Sequence, residues 1–253
     1  MALNPTAGEI PERDGTLEGT EAGAAGLPEA AAAPGRGVAF VPDPRQTAGY
    51  RVARAIFVAL LGVWFRPRVT GRLFIAQEGP VILAPVHRSF ADFGFAAFVT
   101  RRKLFFMAKD DLWSNRRLGR LLITLGAFPV HRESADREAL RHAEAVLKAG
   151  QVLVLFPEGT RQEGPVVHDL LEGAAFLSAR TGAPIVPIGI GNSDRAMQKG
   201  QKIPKPLTIT VVVGEPIAPP ERSGSGRVSR TKVHRTTEEL RQRIQAVYDR
   251  ARG

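Results

Sequence analysis

The stretch AFPVHRESADREALRHAEAVLKAGQVLVLFPEGTR, residues 127–161, decides the fold. Residues 127–131 read as a short strand that delivers Arg132 at its end. Ser134 is placed to cap a helix whose apolar side chains Ala139, Leu140, Ala143, Val146 and Leu147 follow helical spacing, and Gly150 closes it. A continuous apolar run, residues 152–156, follows, as in a strand buried on both faces. Strand, helix, strand in that order is a βαβ crossover, so the two strands run parallel. Pro157, Glu158, Gly159, Thr160 and Arg161 then leave the carboxyl end of the second strand, where open α/β sheets place their chemistry.

Upstream, residues 81–84 form another apolar run, ended by Pro85, and His87 and Asp92 stand five residues apart just beyond it. If Ser89 caps a helix, Asp92 falls in its first turns and turns back towards His87. A neutral imidazole that bonds a carboxylate through one nitrogen has the other free to take a proton from a hydroxyl, which is general base chemistry. A lone His and Asp at this spacing is common, so the pair gains its weight from the segments around it. Residues 104–108 read as a strand, and residues 115–125 as a basic helix with Arg116, Arg117 and Arg120, broken by Gly126. Downstream come a helix at 170–180, a buried strand at 184–190, a polar loop at 191–205 and an alternating, β-branched strand near the sheet edge at 207–213. A terminal helix closes the chain, with Thr236 and Glu239 as a capping box and Leu240, Ile244, Val247 and Tyr248 on one apolar face.

The fold class is therefore α/β, a single domain with a mostly parallel central sheet flanked by helices. Three regions are expected: a disordered acidic tail over residues 1–45, the domain over 46–222, and a linker with the terminal helix over 223–253. The tail is rich in Ala, Gly, Pro and Glu, too poor in large apolar side chains to offset its ordering entropy. The domain opens with an amphipathic segment, residues 50–66, in which an apolar run of eleven residues is bracketed by Arg51, Arg54, Arg66 and Arg68. Eleven residues are too few to span a bilayer core, which takes about 20. Two readings stay open: a short helix at the membrane interface, with Trp64 near the headgroups, or a packing helix that happens to be flanked by arginine.

Zero cysteines exclude disulfides, thiolate metal sites and a cysteine nucleophile. The net charge of +10 is unevenly spread: residues 1–45 carry three Arg against seven Asp or Glu, net −4, which leaves +14 for the rest. Such a surface suits anionic lipid, nucleic acid or a phosphorylated substrate. Nucleic acid is disfavoured, because no recognition module is present and the few aromatics are not interleaved with basic residues.

Four segments in order, HRSFAD from His87, GAFPVHR from Gly126, FPEGTR from Phe156 and PIVPIGI from Pro184, resemble the HxxxxD glycerolipid acyltransferases, most of all the bacterial 1-acylglycerol-3-phosphate acyltransferases. The resemblance covers residues 50–215. It implies that His87 is the general base that deprotonates the acceptor hydroxyl and that Asp92 orients it. It also implies that Arg132, Glu158, Gly159, Thr160 and Arg161 bind the acceptor, with Glu158 bonding a glycerol hydroxyl or holding Arg161. The oxyanion formed on the way would need donors, for which backbone N–H groups near His87 are the first place to look.

The implied donor is acyl-CoA or acyl carrier protein, used as a substrate with no cofactor and no metal. The implied acceptor is a lysophospholipid, and the implied place is an anionic membrane surface on the cytoplasmic side, peripherally bound. Two positions depart from the family pattern: Val86 stands where Asn is frequent, and LLEGAA from Leu170 lacks a frequent lysine. These departures leave room for another lysolipid, or a lipid-linked alcohol or amine, as acceptor. A non-catalytic lipid-binding protein would not explain the ordered motifs, and a serine hydrolase using Ser89 lacks the G-x-S-x-G turn. His131, His142, His168 and His234 are read as non-catalytic.

Overall fold

The structure is a computed structural model that describes residues 42, 45–130, 135–196, 204–221 and 229–253. The acidic tail, apart from Pro42 and Arg45, lies outside the described residues, as do most of the 223–230 linker and Arg132.

Seven strands form one sheet: β1 (Arg68–Thr70), β2 (Val81–Pro85), β3 (Leu104–Lys109), β4 (Ala127–Val130), β5 (Val152–Val154), β6 (Ile185–Gly191) and β7 (Thr210–Val213), in the order β1-β7-β6-β2-β5-β3-β4. Every pairing is parallel except that between β6 and β7. The two longest apolar runs occupy the middle, and β2 and β6 are buried along their whole length, as strands covered on both faces must be. From β2 the chain builds β3, β4 and β5 on one side and then crosses to β6 on the other. The carboxyl ends of β2 and β5 therefore flank the point where the winding reverses, the place where open α/β sheets bind their ligands.

The helices are α1 (Ala48–Phe65), α2 (Asp92–Phe95), α3 (Arg116–Thr124), α4 (Ala135–Lys148), α5 (Gly173–Thr181), α6 (Ser193–Ala196) and α7 (Arg230–Arg252). The basic helix α3 is capped by the Asn115 side chain, which accepts from the amides of Arg117 and Leu118 at 3.0 and 3.2 Å. Helix α7 lays Val233, Leu240, Ile244, Val247, Tyr248 and Ala251 against the domain. Gly189 and Gly191 of β6 let its backbone come close, since a Cβ at either would overlap the carbonyl of Val247 or Ala251.

Two expectations change, and one holds with a strand added outside it. The terminal helix starts at Arg230, upstream of the expected Thr236 cap, because the apolar face continues back to Val233. Thr236 and Thr237 are buried within its body, and the Thr237 hydroxyl bonds the Val233 carbonyl at 3.0 Å. The alternating strand β7 lies near the sheet edge as expected, with the three-residue β1, too short and polar to read from its pattern, pairing outside it. The apolar run of eleven becomes a helix of 18 residues, because the Thr47 side chain caps it upstream and takes Arg51 and Arg54 into its body. By length and composition α1 could cross a membrane.

Helix α1 is nonetheless fastened sideways. Arg54 donates to the carbonyls of Ala97 and Thr100 at 2.5 and 2.6 Å. Phe57 and Leu61 sit over Gly94, where a Cβ would lie 2.7 Å from the Leu61 side chain, and Phe65 meets Phe95 edge-on. Val52, Ile56, Leu60 and Val63, spaced four, four and three apart, form an exposed apolar stripe on the opposite face. One face of the segment packs on the domain, as the packing reading has it, and the other face is open.

Candidate active site

Strand β2 ends at Pro85, and Val86, buried, donates its amide to the Ile188 carbonyl at 3.0 Å. Here Val86 extends the core, which accounts for an apolar residue at this position. The chain then turns through His87, Arg88 and Ser89 into α2, whose first residue is Asp92. Asp92 Oδ2 lies 3.1 Å from His87 Nδ1 and also accepts the amides of Arg88 and Ser89, both at 2.6 Å. A single oxygen thus ties the ring to the backbone of its own turn. The carboxylate orients Nδ1–H towards itself, which leaves Nε2 as the basic nitrogen. The Asp92 side chain has no exposure and that of His87 has 20%. The imidazole is therefore reachable from solvent while the carboxylate is sealed, and the ring is braced by Phe156, stacked at 4.1 Å.

The FPEGTR segment leaves β5 beside this turn and is bonded to it, since the Gln162 amide donates to the His87 carbonyl at 2.9 Å. Gly159 takes φ +71°, a conformation that glycine adopts without strain, and Gly159, Thr160 and Arg161 are exposed. Thr160 Oγ1 accepts from Gln162 Nε2 at 3.2 Å and keeps its own proton to donate. Thr160 and Arg161 can therefore offer a hydroxyl donor and a bidentate guanidinium to a phosphate next to the basic histidine.

Glu158 behaves differently from the expectation. Its side chain is fully buried, Oε2 accepts the His87 amide at 2.9 Å, and both oxygens accept from Arg88 Nη1 at 2.8 Å. It holds the His87 turn through these bonds, and its charge is matched by Arg88 in place of Arg161. The amides of His87, Arg88 and Ser89 all point into the Glu158 and Asp92 carboxylates, so none of the three faces an oxyanion. Arg88 is the residue that reading the motifs passed over. It stands among His87, Ser89 and Asp92 as one more polar residue, so nothing local signals that it pairs with a buried anion. Arg132 cannot be placed, as it lies outside the described residues. Among the described residues no group of three or more His, Asp or Glu side chains is spaced to hold a metal ion.

Residues 66–191, half of the chain, match the acyltransferase family, and the segment contains both halves of this site. The chain belongs to the acyltransferase family. Within this acyltransferase the strands β1 to β6 fall inside the match, while α1, β7 and α7 fall outside it. It is 35% identical over 114 residues to a 1-acyl-sn-glycerol-3-phosphate acyltransferase of Streptococcus pneumoniae, a match covering 44% of this chain and 41% of that one. It is 29% identical over 142 residues to the Bacillus subtilis protein of the same name, covering 56% of this chain and 67% of the relative. The crystal structure of the 1-acyl-sn-glycerophosphate acyltransferase PlsC from Thermotoga maritima superposes with a TM-score of 0.65 at 23% identity, over 81% of this chain and 80% of that one, so the fold is shared.

Proposed function

We propose that the acyltransferase moves a fatty acyl group from acyl-CoA or acyl carrier protein to the free hydroxyl of 1-acylglycerol 3-phosphate, giving phosphatidic acid. The observation that carries this reading is the reachable His87, oriented by a sealed Asp92 and bonded through its backbone to a loop presenting Thr160 and Arg161. The names of the Streptococcus and Bacillus relatives support the acceptor.

In the reaction, His87 Nε2 takes the proton of the acceptor hydroxyl as its oxygen attacks the thioester carbonyl. The tetrahedral intermediate collapses, the C–S bond breaks, and the thiol leaves with the proton returned from the imidazolium. No covalent enzyme intermediate is required. General base catalysis of this kind contributes on the order of 10²–10⁴ in rate. Arg161 and Thr160 hold the acceptor phosphate, and Gly159 lets it approach the backbone.

The place of action is a membrane surface, on the cytoplasmic side where soluble thioester donors are made. The open stripe of α1 would enter the interface, and Arg116, Arg117 and Arg120 of α3, exposed beside Leu118 and Leu121, suit anionic headgroups. That Arg54 and Phe65 bind α1 along the domain supports a helix that lies in the interface plane instead of crossing the bilayer.

A panel of acceptors tests the reading. Palmitoyl-CoA is supplied with 1-acylglycerol 3-phosphate, a lysophosphatidylcholine, or neither, and the lipid products are separated. Phosphatidic acid as the main product is the expected result. Acylation of lysophosphatidylcholine in preference would move the acceptor to another lysolipid, the direction in which the absent lysine of LLEGAA points.

A further inference from the structure

Arg88 is clamped on every side. Nε donates to the Gly164 carbonyl at 3.1 Å, Nη1 to the His87 carbonyl at 3.0 Å as well as to Glu158, and Nη2 to the Val166 carbonyl at 2.9 Å. The guanidinium lies 5.0 Å from the centre of the Tyr248 ring, at a distance that favours a cation over an aromatic face. Two of its acceptors belong to residues 164–167, an irregular loop between β5 and α5. That loop is in turn held from α7. Gln245 Oε1 accepts the Val167 amide at 2.7 Å, its Nε2 donates to the Pro165 carbonyl at 3.0 Å and to Asp249 Oδ1 at 2.8 Å, and the Tyr248 hydroxyl donates to the Gly164 carbonyl at 3.4 Å.

We propose that α7, which lies outside the family match, is part of the active-site framework: Gln245 and Tyr248 fix the 164–167 loop, the loop and Glu158 fix Arg88, and Arg88 is the positioning residue for His87. Its backbone sits between the histidine and Ser89, whose amides it and its neighbours commit to Glu158 and Asp92. Movement of the guanidinium therefore moves the turn that aims Nε2. Misplacement of a reacting group by about 1 Å costs on the order of 10²-fold in rate. Core burial of α7 against β6 alone would not need Gln245, which is half-buried at the rim and touches no reacting group.

The kinetic half of this inference rests on the acyl-transfer reading, and its exchange half does not. Arg88→Ala would leave Glu158 buried without its cation and endanger folding, so the test is Gln245→Ala in the full chain, beside Arg241→Ala, which removes a pair with Glu238 on the same helix. Amide hydrogen exchange is followed over residues 86–92 and over β6, with melting temperature and acyl-transfer kinetics alongside. In Gln245→Ala, exchange over 86–92 is expected to rise about tenfold with β6 unchanged, and kcat to fall about tenfold with KM for the lysolipid held within about twofold. Arg241→Ala should match wild type in both. Unchanged exchange over 86–92 overturns the proposal, and so does a rise shared equally by β6, which would mean general loosening of the helix. If wild type itself shows no acyl transfer, the acyl-transfer reading is refuted, and the exchange comparison still decides the role of α7.

Discussion

Asp92 performs its task through one oxygen. Oδ2 holds the ring and two amides, while Oδ1 is buried with no hydrogen-bond partner among the described residues. Asp92→Asn preserves the shape but removes the charge that stabilises the imidazolium, and its amide nitrogen must either displace Oδ2 from the two N–H donors or enter the enclosed Oδ1 side. We expect kcat to fall by on the order of 10²–10⁴ in a steady-state assay, with the melting temperature lowered by only a few degrees. Arg161 is exposed, and in the proposed reaction it holds the acceptor phosphate. Arg161→Ala should raise KM for 1-acylglycerol 3-phosphate by about tenfold or more and leave KM for the thioester within about twofold. His87 and Asp92 could be singled out in the sequence because both chemistry and spacing are local. Glu158 was singled out with its motif but not paired with Arg88, since a sequence shows that a residue is charged but not that it is buried, and these two partners are seventy residues apart.

Among the elements, the apolar runs that became β2, β5 and β6 were legible because burial on both faces leaves no room for polar residues. The extent of α1 and α7 was harder to read, as local caps compete with tertiary contacts: Arg54 is kept in its helix by carbonyls more than forty residues away, and Thr236 lies inside its helix despite resembling a cap. Helix α4 supplies a pH-dependent test. His142 is buried on it, edge-on to Phe128, and burial holds its pKa below the usual histidine value, with Glu138 opposing. The unfolded chain protonates this histidine at about pH 6.5, above the folded value. Between the two values the unfolded state binds more protons, so stability is intact above about pH 6.5 and declines as pH falls below it. Thermal unfolding of wild type across this range should show that decline, and His142→Phe should flatten it. An equal slope in both proteins would assign the decline to other groups.

At the scale of the whole molecule, the basic charge and the stripe on α1 together predict where the protein works. Leu60 and Val63 are 67% and 81% exposed, so replacing both with Asp should leave the melting temperature unchanged. It should weaken sedimentation with anionic vesicles by about tenfold or more, given about 25 cal/mol for each Å² of apolar surface withdrawn from the interface. Binding that persists in that variant at low salt and disappears at high salt would place the contact on the arginines alone.

The most direct measurement of the central claim is thiol release from palmitoyl-CoA by wild type and His87→Ala, each with and without 1-acylglycerol 3-phosphate. Wild type should release thiol only when the acceptor is present, in step with phosphatidic acid, and the variant should lose about 10²-fold or more of that rate. Thiol release from wild type without acceptor, or an undiminished rate in His87→Ala, would contradict direct transfer by a histidine base.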